Sequence, residues 1–78
     1  MRLLVAEDHA ELARSLVEGL REEGYAVDVA GDGDEALHLA RSASYDCILL
    51  DIMLPGKDGW AILSALRGAQ DRSPVICL

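Results

Sequence analysis

The chain has 78 residues, 51% of them hydrophobic, and a formal net charge of −7. That length bounds it to one small domain or a part of one, and the apolar content excludes a disordered segment. The acidic balance excludes a surface built on nucleic-acid phosphates, which needs clustered Lys and Arg.

No apolar stretch is long enough to span a bilayer. The opening Met1-Arg2-Leu3-Leu4-Val5-Ala6 meets Glu7-Asp8 after four apolar residues, so no secretory leader is expected and the cytoplasm is the expected location. Cys47 and Cys77 each lie in an apolar run and are expected to be buried and reduced there. Their spacing matches no zinc motif.

Leu3 to Ala6 reads as a first strand, without polar alternation, as a parallel strand covered on both faces does. Asp8 to Glu23 reads as a helix with Leu12, Ala13, Leu16, Val17 and Leu20 on one apolar stripe. Asp8 is placed to cap it, with Glu11 three residues on as in a capping box. Gly24 is placed to end it in the left-handed region. Tyr25 to Ala30 reads as a second strand. Its Val27 and Val29 point one way and Asp28 the other, the mark of an edge strand with one partly wet face. Gly31-Asp32-Gly33 reads as a turn, and Asp34 to Ala43 as a second helix burying Ala36, Leu37 and Ala40. Cys47 to Leu50 is the third strand. Asp58 to Arg67 is the third helix, with Asp58 as its N-cap, Ile62, Leu63 and Leu66 inward, and Gly68 closing it. Pro74 to Leu78 begins a fourth strand. Strands alternating with helices of this length predict right-handed βαβ units around a parallel sheet.

This order gives the acidic residues a meaning. Glu7-Asp8 follows the first strand and Asp51 follows the third. If those strands are parallel neighbours, three carboxylates meet at the carboxyl edge of the sheet, where open α/β sheets bind ligands. Two carboxylates about 5 Å apart repel by roughly 3 kcal/mol at an effective dielectric near 20. Three together call for a neutralising cation or a proton. The economical reading is a divalent-metal site beside a nucleophilic aspartate, followed by a stiff turn, Ile52-Met53-Leu54-Pro55-Gly56-Lys57-Asp58-Gly59. His9 reads as a solvent-facing residue of the first helical turn rather than a ligand, and His38 as plain surface. Trp60 is expected to pack partly at the start of the third helix, near the site. Lys57 reads as an exposed turn lysine, and Asp46 and Asp58 as cap or turn residues.

These residues carry a resemblance. Leu3-Leu4-Val5-Ala6-Glu7-Asp8, Gly24-Tyr25-Ala26-Val27, Asp32-Gly33-Asp34-Glu35-Ala36-Leu37, Tyr45 through Gly59 and Pro74-Val75-Ile76-Cys77-Leu78 together resemble the amino-terminal part of bacterial response-regulator receiver domains. The subtype it is similar to carries a winged-helix DNA-binding domain. The resemblance implies an α/β, flavodoxin-like receiver fold with strand order 2-1-3-4 and helices on both faces. Residues 1–78 would supply its first four strands and three helices. It implies that Asp51 accepts a phosphoryl group from a histidine kinase. It also implies that Mg²⁺ is held by Asp8, Asp51 and the backbone carbonyl of Met53, with Glu7 acting through metal-bound water. The chain is then a phosphoacceptor rather than an enzyme.

The same resemblance implies that a full receiver continues beyond Leu78. A Ser or Thr follows the fourth strand, a Lys follows the fifth, and further helices carry the output surface. A domain cut short there is expected to associate with a second copy through its fourth strand and uncovered sheet face. Two other classes compete. A phosphohydrolase of the aspartyl-phosphate type usually has a second Asp two residues after its nucleophile, where this chain has Met53. A phosphorylation-independent interaction or assembly fragment would neither bind Mg²⁺ nor accept a phosphoryl group.

Overall fold

The structure is a computed structural model and describes residues 1–51, 54, 56, 59–68 and 74–77, Cys77 by its backbone alone. Its elements run β1 (Arg2–Ala6), α1 (Ala10–Glu22), β2 (Ala26–Ala30), α2 (Gly33–Ser42), β3 (Cys47–Leu50), α3 (Gly59–Gly68) and β4 (Val75–Cys77). The strands form one sheet in the order β2-β1-β3-β4, and every pair is parallel. This is the expected order, with β1 and β3 central. Their side chains accordingly alternate between two buried faces.

Leu4, Ala6, Ile48 and Leu50 face α2 and α3 and form the larger core with Ala36, Leu37, Ala40, Leu54, Ile62 and Leu66. Leu3, Val5 and Val27 face α1 and meet Val17 in a smaller core. Two helices cover the first face and one covers the second among the described residues. That difference explains a correction to the α1 stripe. Ala13 and Val17 are buried, Leu16 and Leu20 are half-buried, and Leu12 is 47% exposed. The stripe is wider than the sheet face it meets, and among the described residues α1 packs on β1 and β2. Cys47, on the same face, is a free and half-buried thiol rather than a fully buried one. Val29 likewise points to the α1 face but lies far enough along the β2 edge to be 37% exposed. In α3, Ile62 and Leu66 are buried as expected while Leu63 is half-buried.

The helix starts also differ. Asp8 does not cap α1. His9 does, with its Nδ1 accepting from the Leu12 backbone N–H at 3.3 Å. The α2 helix begins one residue earlier than expected, with Asp32 Oδ1 accepting from the Glu35 N–H at 2.8 Å. Gly24 has φ +93°, so α1 ends in the left-handed region that its glycine allows. The expected cap Asp58, together with Met53 and Lys57, lies outside the described residues.

At the amino edge of the sheet the structure contains a network that sequence reasoning missed. Arg2 donates to Asp28 Oδ2 from Nη2 at 2.9 Å and from Nε at 3.3 Å. The Tyr45 hydroxyl donates to the same oxygen at 2.7 Å, and the Arg2 guanidinium lies 5.3 Å from the Tyr45 ring centroid. The Arg2 backbone N–H donates to Asp46 Oδ2 at 2.7 Å. β1, β2 and the loop that leads into β3 are thereby tied together, away from the acidic residues.

Candidate functional site at the carboxyl edge

The backbone ladder carries the site residues past the ends of the strands. The Glu7 N–H donates to the Ala30 carbonyl at 3.0 Å, and the Asp51 N–H donates to the Ala6 carbonyl at 2.9 Å. Each bond continues the β1–β2 or β1–β3 pairing by one residue. Glu7 and Asp51 are therefore fixed by main-chain hydrogen bonds before their side chains make any contact. The chain then turns at Asp8 into α1, which brings a third carboxylate to the same place.

Glu7, Asp8 and Asp51 each offer a carboxylate oxygen, and these oxygens all lie within 4.8 Å of one another. Glu7 is buried, Asp51 half-buried and Asp8 exposed. Burial of Glu7 is notable because acids are seldom fully buried without a partner. Its Oε1 accepts from the His9 backbone N–H at 3.0 Å, a neutral donor against a full charge. The set is oxygen-only and graded from interior to solvent. Hard divalent cations prefer such donors, and Mg²⁺ in particular uses few protein oxygens and keeps several waters. The residues present fit that ion. An open groove between α1 and β2 is lined by Glu7, Asp8, Ala13, Arg14, Val17 and Val29.

The three acids that sequence reasoning brought together are together here, while Met53, the fourth expected ligand, lies outside the described residues. His9 is exposed and serves as a cap. Trp60, in the first turn of α3, is only partly packed at 60% exposure. Gly56, in the segment that follows Asp51, has φ +84°, and a Cβ built on it would stand 3.1 Å from Asp34 Oδ2.

A parallel sheet in this order with acids at its carboxyl edge defines the receiver class, and comparison with known proteins agrees. Residues 3–78 match the response regulator receiver domain, and the chain belongs to that family. It is 47% identical to the transcriptional regulatory protein HprR and 44% identical to the transcriptional regulatory protein CusR, both of Escherichia coli K12, over all 78 residues. The chain spans 34% of the length of each. Among solved structures, the Francisella response regulator 1452 receiver domain superposes with a TM-score of 0.94 at 38% identity, over 97% of this chain and 63% of that one. The Thermotoga maritima response regulator TrrA, solved in complex with Mg²⁺ and BeF, superposes with a TM-score of 0.90 at 37% identity, over 97% of this chain and 66% of that one. Among the described residues no helix is long and apolar enough to cross a membrane.

Proposed function

We propose that this chain is the phosphoacceptor portion of a two-component receiver, with Asp51 taking a phosphoryl group from a histidine kinase. The observation that carries the reading is the convergence of Glu7, Asp8 and Asp51 oxygens within 4.8 Å at the carboxyl edge of β1 and β3. Asp8, Asp51 and the Met53 carbonyl would hold Mg²⁺, and Glu7 would act through its waters. The bound ion would supply positive charge where negative charge accumulates on the transferring phosphoryl oxygens. The protein's own contribution is placement. The Ala6 carbonyl fixes the backbone of half-buried Asp51 at the strand end, where an incoming phosphoryl group would align with a carboxylate oxygen. In a longer protein the output would be a DNA-binding domain, as the transcriptional regulators it resembles suggest.

The test is Mg²⁺ titration followed by acetyl phosphate treatment of the chain. Trp60 fluorescence is expected to report weak Mg²⁺ binding, and mass spectrometry an adduct on Asp51 alone. An Asp51→Asn variant that titrates like the parent, or an adduct that persists in Asp51→Ala, would overturn the assignment.

A second reading, assembly independent of phosphorylation, is favoured by one observation. Among the described strands β4 is an edge, and its Ile76 is 53% exposed. An apolar strand edge is a template for another chain.

A further inference from the structure

One residue ties the start of α1 to the acidic cluster. Three groups of His9 are engaged at once. Its backbone N–H donates to Glu7 Oε1 at 3.0 Å. Its ring Nδ1 accepts from the Leu12 N–H at 3.3 Å. Its carbonyl accepts from the N–H of buried Ala13 at 2.9 Å, which opens the helical ladder. Its backbone is extended, with φ −78° and ψ 104°. Glu7, at the far end of this chain of bonds, is only 6% exposed. Among the described residues His9 supplies the Glu7 carboxylate with its only hydrogen-bond donor.

We propose that His9 is a positioning residue for Glu7, acting through the cap its ring makes on α1. This inference rests on the reading of the acidic cluster as a Mg²⁺ site. The first link is backbone geometry. The bond from Leu12 to Nδ1 holds residue 9 in the extended conformation that an N-cap requires. A helical ψ of about −42° would add residue 9 to α1 and rotate its N–H away from the direction in which it meets Glu7. Ala has no side-chain acceptor and the highest helix propensity, so it is free to make that change. The second link is chemical. A buried carboxylate held at one oxygen has its other oxygen fixed too, and a hydrated cation then meets an acceptor already in place. Outer contacts of this kind orient the groups around a metal. The competing role for His9 is a cap that stabilises α1 and does nothing more. Both roles use the Nδ1 acceptor, and they separate at Glu7. A positioning residue affects the ion only while Glu7 is charged, whereas a general loss of helix stability acts whatever stands at position 7.

The experiment compares the parent, His9→Ala, His9→Asn, Glu7→Gln, the Glu7→Gln/His9→Ala double variant and Gly24→Ala, which strains the other end of α1. Two readouts are taken on the full 78-residue chain: Mg²⁺ affinity from Trp60 fluorescence, and hydrogen exchange of the residue 9 amide by NMR without metal. His9→Ala is expected to weaken Mg²⁺ binding by about threefold to fivefold, below the roughly 10–100-fold typical when a direct partner of a ligand is lost. Its residue 9 amide should exchange faster by a similar factor. His9→Asn restores a capping acceptor and should stay within about twofold of the parent in both readouts. In the Glu7→Gln background His9→Ala should leave the remaining Mg²⁺ affinity unchanged, because the two substitutions act on one contact. Gly24→Ala should leave both readouts at the parent value. Parent-like exchange in His9→Ala overturns the proposal, as do equal losses in the Asn and Ala variants. It is overturned equally by a His9→Ala loss that persists beside Glu7→Gln, or by a Gly24→Ala variant that reproduces the loss. If the parent fails to bind Mg²⁺, or Asp51→Asn titrates like it, the metal reading falls instead. The exchange of the residue 9 amide then decides by itself whether the ring of His9 holds its N–H on Glu7.

Discussion

Replacing Asp51 by Asn is expected to stabilise the protein when no divalent cation is present. The Asp51 carboxylate has an oxygen within 4.8 Å of oxygens on both Glu7 and Asp8. At an effective dielectric near 20, each such pair repels by roughly 3 kcal/mol. Asp8 is exposed and Asp51 half-buried, so water and salt screen much of this. A net relief of about 1 kcal/mol is a reasonable expectation. For a domain of this size 1 kcal/mol corresponds to a melting shift of roughly 4–8 °C. The assay is thermal unfolding by circular dichroism in chelator at low ionic strength, repeated with millimolar Mg²⁺. In chelator the variant should melt above the parent. In Mg²⁺ the parent should gain and the variant should not, because only the parent retains the full ligand set. A variant that melts below the parent in chelator would refute the premise that the cluster is repulsive when empty of cation.

Other expectations concern the amino-edge network and the backbone. Tyr45→Phe removes the hydroxyl that donates to Asp28 at 2.7 Å but keeps the ring under Arg2; it should cost about 1 kcal/mol, read by urea denaturation. Burial, and then the bond to Asp28, push the Tyr45 hydroxyl up to about 12 from its usual 10.0. Its stabilisation is therefore complete below pH 10 and is lost as pH rises toward 12, a slope that Tyr45→Phe should abolish in alkaline melts. The Tyr45 bond, and then the Arg2 bond, hold the Asp28 carboxyl below the ordinary carboxylate range. Its contribution is present above the unfolded value near 3.8 and fades on acidification below it, and Asp28→Asn should flatten that limb. Gly24→Ala meets no neighbour within 4 Å but must hold φ +93°, so it should cost about 1–2 kcal/mol from backbone strain alone. If β4 mediates self-association of the chain, Ile76→Lys should shift sedimentation toward monomer, and an unchanged distribution would remove that reading.

The fold was legible because each strand and helix carried its own period and the crossovers allowed one handedness. The acidic cluster was legible for the same reason: once β1 and β3 are parallel neighbours, the residues that follow them must meet. What escaped depends on side chains far apart in sequence. Arg2, Asp28 and Tyr45 come from β1, β2 and the loop before β3, and only Asp28 facing away from Val27 and Val29 hinted that something polar lay there. The start of α1 escaped for a local reason. Asp8 and His9 are both able caps, and the choice follows from Asp8 turning its carboxylate toward Glu7 and Asp51. The exposure of Leu12 depends on which neighbours α1 meets, which no helical period encodes.

The amino-edge network gives the sheet a gradient of local stability. At one end Arg2 joins Asp28, Tyr45 and Asp46 through opposite charges and neutral donors; at the other, three like charges stand together. Opening fluctuations of β1 and β3 should therefore begin beside Asp51 and die out toward Arg2, like a zipper sewn shut at its base. A cation at the acidic end would level the gradient without moving the fastened end. The chemistry at Asp51 would then be registered as a change in how readily one edge of the sheet breathes, while the fold below it stays closed.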